Sequence, residues 1–225
     1  MSHLFVTSGK TPDGKQIVGF GSLNPYEKEG KEKAPTARDV FYKIDAIDGF
    51  LKAVDADRIP LTLKGKDNEG KDLFMKADAF YTQGTAQSGV AYGVNKISIE
   101  IGEERLYASK FNGQETYAFD NAEKNKDLIA KFNKSIEKGV DITLSATKEE
   151  TLSKYPKLID TIKQIDKSAY VEIDYVKGQG AVLKGVSKEK PAKEHEAQDP
   201  EKKNVAAKKF EPSKGKEKET ADIGR

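Results

Sequence analysis

The chain has 225 residues, 36% hydrophobic and 34% charged, with 39 basic against 37 acidic side chains, two His, and no Cys or Trp. Length and composition fit one modest globular domain with a solvated extension, and the near-cancelling charge names no partner. The absence of Cys excludes disulfide frameworks, thiolate zinc sites and cysteine nucleophiles together.

In chain order, Leu4 to Thr7 and Ile17 to Leu23 read as strands around Thr11-Pro12-Asp13-Gly14, where Pro presets φ and Gly supplies a positive φ. Asn24 to Pro35 reads as a loop, Val40 to Ile44 as a short strand, and Ile47, Phe50, Leu51 and Val54 as a short helix closed by Pro60. Leu61 to Leu63 and Leu73 to Met75 bracket Lys66 to Lys71, a polar hairpin connection. Gly84 to Gly93 is rich in small residues and reads as a mobile connection, since it lacks the Lys and Ser/Thr of a phosphate-binding loop. Ile97, Ile99 and Ile101 alternate with polar residues, as in a half-buried strand. Arg105 to Phe111 and Glu115 to Phe119 flank Asn112-Gly113, a strong hairpin signal. Leu128, Ile129, Phe132 and Ile136 form the apolar stripe of a helix capped by Asp120 or Asn121 and ended by Gly139. Val140, Ile142 and Leu144 alternate in the next strand, a helix starts at Pro156, and Val171 to Tyr175 and Ala181 to Val186 form a closing hairpin.

The whole predicts an α+β domain over residues 1–186 with mostly antiparallel short strands and two or three helices. From Ser187 to residue 225 the composition cannot offset chain entropy, so a disordered Lys/Glu-rich tail is expected. The tail carries 11 basic and 9 acidic residues, leaving the first 186 balanced at 28 and 28. Lys202, Lys203, Lys208 and Lys209 surround Val205 and Phe210 and mark the tail's expected contact site. No apolar run approaches the roughly 18 residues of a spanning helix, and no secretory h-region is visible, so a cytoplasmic protein without membrane contact is expected.

Chemistry is sparse. His3 and His195 both lie outside the predicted core, which removes triads, His zinc sites and imidazole shuttles. Asp57, Glu69 and Lys71 have the letters of a nuclease site, but Glu69 falls in a turn. A calcium loop around Asp67, Glu69 and Asp72 lacks the required Gly and final Glu. A non-enzymatic protein with no catalytic residues, metal or organic cofactor is expected. Only four of the basic residues are Arg, the residue preferred for reading guanine edges, which argues against sequence-specific duplex recognition.

Across residues 97–146 the order is strand, aromatic hairpin, helix, Lys138-Gly139, then the alternating strand Val140-Asp141-Ile142. With Tyr117-Ala118-Phe119 before the helix, this segment resembles the middle of single-stranded DNA-binding proteins of the OB-fold kind. The resemblance implies an OB-like partial barrel, with its OB-like part over residues 97–186, and an accessory protein of the kind phages and mobile elements carry. Bases stacked on rings beside basic side chains are the recognition chemistry of such proteins, and Tyr107, Lys110, Phe111 and Tyr117 are the residues expected to supply it. The same alternation of aromatics also suits a packed core. An inhibitor or interaction module, binding another protein through a strand edge or the Lys-rich tail, therefore stays open beside the nucleic-acid reading.

Overall fold

The computed structural model of the chain describes residues 2–146 and 148–189. The first hairpin pairs β1 (Ser2–Lys10) with β2 (Gln16–Leu23). Two short strands, β3 (Tyr26–Lys28) and β4 (Lys31–Lys33), pair within the segment expected to be a loop. α1 (Ala37–Ala53) follows, then β5 (Leu61–Lys66), β6 (Asp72–Thr85), β7 (Ala91–Ile101), β8 (Glu104–Phe111) and the two-residue β9 (Ala118–Phe119). After α2 (Lys126–Ile136) come β10 (Val140–Leu144), the single turn α3 (Glu149–Leu152), α4 (Pro156–Gln164), β11 (Ser168–Val176) and β12 (Gly180–Ser187).

Ten of these strands form one sheet in the order β12-β11-β1-β2-β10-β5-β6-β7-β8-β9. Its pairings are antiparallel throughout. The α+β class and the antiparallel pairing are as expected. The sheet is open, with β12 and β9 at its edges, and does not close into a barrel.

Alternation sorts the strands into two faces. Leu4, Val6, Val18, Phe20, Leu63, Met75, Ile97, Ile99, Leu106, Ile142, Val171 and Ile173 point to one side and are buried. α1 packs there with Val40, Phe41, Ile44, Ile47, Phe50 and Leu51. Phe50 meets Phe20 edge-on at 5.9 Å, and Phe41 stacks on Phe132 of α2 at 6.4 Å. Leu152, Leu158, Ile162 and Ile165 of the α3–α4 region join the same core.

Three further expectations are corrected. Val40 to Ile44 is helical, because Thr36 caps the helix with its side chain and Asp39 returns a bond to the Thr36 amide, so the helix starts well before Ile47. The stretch from Gly84 to Gly93 is largely strand, β6 running to Thr85 and β7 resuming at Ala91 around a tight turn in which Gly89 N–H donates to Ala86 O. A third correction concerns α2. Asp120 does not cap it: its carboxylate accepts from Lys96 Nζ and Ser109 Oγ, and the helix begins after Asn125 without a side-chain cap.

Candidate functional site

The long hairpin β6–β7 and its neighbour β8 expose the face opposite the helices. Phe74 is 61% exposed, Phe80 38% and Phe111 47%. Phenylalanine has no polar handle with which to meet water, so three such rings on one sheet face are unusual. Register places Phe80 opposite Lys96, Lys96 opposite Ser109, Ser98 opposite Tyr107, and Val94 opposite Phe111. Tyr92 sits opposite Gly84 and its ring lies 6.3 Å from that of Phe111. From Phe74 to the Tyr92–Gly84 pair the strip runs roughly 34 Å at about 3.4 Å per residue. Polar residues separate its rings: Lys76, Asp78 and Thr82 on β6, Lys96 and Ser98 on β7, Ser109 on β8.

The structure divides the four residues singled out from the sequence. Tyr107 and Phe111 lie on this open strip. Lys110, one residue before Phe111, points to the helix side, where its Nζ is 2.6 Å from Asp45 Oδ2 and 4.8 Å from the Tyr117 ring centre. Tyr117 donates to Asp45 Oδ1 at 2.9 Å and packs against Phe41. Burial, with Asp45 beside the hydroxyl, pushes the Tyr117 phenol well above its ordinary range. Lys110 and Tyr117 thus fasten β8 and the following loop to α1. Lys202, Lys203, Lys208 and Lys209 lie outside the described residues.

Phe74, Phe80 and Tyr92 escape sequence reading. β6 carries aromatics on both parities, Phe74 and Phe80 against Tyr81, so alternation alone does not say which face is covered. The only available signal is Phe at alternate positions beside Lys76 and Asp78, a poor pattern for a core strand.

Charges beside the strip are balanced. Lys64 and Lys66 both reach Asp72, Arg105 reaches Glu100 at 2.7 Å, and Lys96 reaches Asp120 at 3.1 Å. Lys76 has no ion-pair partner among the described residues.

Beyond the point where β5 leaves β6 at Ala77 and β8 leaves β7 at Val94, the β6–β7 hairpin continues as a two-stranded arm. Tyr92 covers Gly84 on its open face, where an added Cβ would come within 2.6 Å of the ring. Tyr81 covers Gly93 on the other face, beside the Asn112 amide. A cavity of about 440 Å³ runs around this end of the arm, lined by Tyr81, Gln83, Gly93 and Asn112 and also by Thr85 and Tyr92.

Asp67 Oδ1 accepts the amides of Glu69 and Lys71, and Lys71 Nζ pairs with Glu69 at 2.6 Å in an exposed hairpin turn. Among the described residues no three His, Cys, Asp or Glu converge as metal ligands, and no helix is long and apolar enough to cross a membrane. Compared with protein-family models, with curated proteins and with solved structures, the chain matches none.

Proposed function

We propose that the chain binds single-stranded nucleic acid, with little sequence preference along the open strip of β6–β8, as a non-enzymatic accessory protein. The observation that carries this is the exposure of Phe74, Phe80 and Phe111 on one sheet face, with Tyr107 and Tyr92 between and beyond them. Each ring offers a π-face to a base, and stacking is worth roughly 1–3 kcal/mol per base. A duplex keeps its bases stacked on one another and presents only their edges, so it gains little from such rings.

The spacing of the rings favours this over a protein partner. A protein-binding centre is a continuous apolar patch with charge excluded, whereas here Lys96, Asp78, Ser98 and Thr82 stand between the rings. Apart from the Tyr92–Phe111 pair, the rings are flat surfaces divided by polar positions, which suit bases alternating with a polar backbone. Lys76, and Lys64 and Lys66 once drawn from Asp72, are within the strip's margin to meet phosphates.

A fluorescence-anisotropy titration with labelled oligo(dT) tests the reading. Binding at low salt is expected, weakened about tenfold or more by Phe80→Ala with Phe111→Ala, while the melting temperature stays put because neither ring is in the core. Absence of binding at low salt, or an unchanged affinity in the double variant, sinks the proposal. In that event the strip becomes a docking face for another protein.

A further inference from the structure

The helix-side face of the β6–β7 arm differs in chemistry from the open strip. Tyr81 is the exposed aromatic on it, and the cavity beside it is lined by uncharged amides and small groups, among them Gln83, Gly93 and Asn112, and reaches Tyr92 at the arm's edge. Neither the Gln83 nor the Asn112 side-chain carboxamide has a hydrogen-bond partner among the described residues. Gly93 is buried beneath the hydroxyl end of the Tyr81 ring, itself 47% exposed, and Asn112 Nδ2 stands beside that ring end, 2.8 Å from where a Gly93 Cβ would be.

We infer that this recess is a base-reading subsite, in which one nucleobase stacks on Tyr81 while Gln83 and Asn112 hydrogen-bond its edge. This rests on the single-strand reading above. A carboxamide offers a donor and an acceptor side by side, the pattern of a base edge, and it reads that edge bidentately. Unstacked bases of single strands are recognised in this way, one ring below and polar groups at the rim. The recess is uncharged, so it selects a base and not a phosphate. At about 440 Å³ it is within the size range of small-ligand sites.

A strand can reach it. The Tyr92–Phe111 ring pair stands on the open face where β8 ends, and Asn112 N–H still donates to Gly93 O at 3.2 Å. Past that bond the edge of β7 is free, from Gly93 to Ala91. A strand lying across Phe111 and Tyr92 meets this edge and, turning around it, arrives at the Tyr81 ring and the Asn112 side chain. The open strip then supplies affinity without base preference, and the recess supplies the preference.

The test is anisotropy with labelled oligo(dT), oligo(dA) and oligo(dC) of equal length at low salt. The three are expected to differ by about tenfold between best and worst. Gln83→Ala with Asn112→Ala narrows that spread to about twofold. Tyr81→Phe retains the spread, and Tyr81→Leu loses it. Gln83→Glu, which keeps shape but loses the donor, reorders the three oligomers; a double variant with an altered melting curve is replaced by this single one. Equal affinities in the parent protein, or a spread that survives the double substitution, overturn the inference and leave the strip intact. If none of the oligomers binds, the single-strand reading itself falls, and the recess with it.

Discussion

Lys110 Nζ lies 2.6 Å from Asp45 with 17% of its side chain exposed, whereas Phe111, the next residue, leaves 47% of its surface open on the other side of the sheet. Removing Lys110 leaves the Asp45 carboxylate half-buried with only Tyr117 to satisfy it. Lys110→Ala is therefore expected to lower stability by about 1–3 kcal/mol, and Phe111→Ala to change it by less than about 0.5 kcal/mol. Urea melts of the two variants check this, and equal losses would mean that Phe111 is part of the core. Asp48, on the same helix one turn on, has 14% of its side chain exposed and bonds Lys52 at 2.6 Å. Burial outweighs that bond and raises its carboxyl pKa above the ordinary 3.8. A raised carboxyl favours the protonated fold: its contribution is full below pH 3.8 and is lost as pH climbs through the raised value. Asp48→Asn should accordingly raise the melting temperature at pH 7 and lose that advantage as pH approaches 3.8. A gain that persists unchanged in acid would point to a different cause.

At the scale of elements, α1 depends on its start. Thr36 and Asp39 exchange bonds across the first turn, and Thr36→Ala should cost about 1 kcal/mol, read from a shift of the urea midpoint at constant slope. That cap was available to sequence reading, as a Thr followed at the third place by Asp. It was obscured because Val40, Tyr42 and Ile44 also alternate as a strand would, and a short window fits both periods. Elements whose local signals agree were legible: the Asn112-Gly113 turn, the isoleucine alternation of β7, and Pro156 at the start of α4. The candidate site was legible only by half. Tyr107 and Phe111 share a parity and hence a face, which the sequence does show. That this face is the uncovered one depends on where α1 and α2 pack, and Lys110 belongs to the opposite face for the same reason. Phe74, Phe80 and Tyr92 join the strip through register across β6, β7 and β8, a relation between segments far apart in the chain.

Over the whole molecule, charge decides how any nucleic acid would be held. The first 186 residues are balanced at 28 basic and 28 acidic, and the lysines beside the strip are mostly engaged by Asp72 and Asp120. A single strand on the strip alone should then release few counterions, since each phosphate contact contributes about −0.7 to the slope of log K against log salt. A slope near −1 means stacking dominates. The residues able to steepen it are Lys202, Lys203, Lys208 and Lys209 beyond the described part of the chain. Changing all four to Gln in the full-length protein separates the two sources of affinity. If the tail contacts the strand, the slope should become shallower by up to about 3, with the low-salt affinity falling and the effect of Phe80→Ala with Phe111→Ala undiminished. If the slope is already shallow and the four substitutions leave it so, the tail takes no part in binding, and the rings of β6–β8 carry the affinity alone.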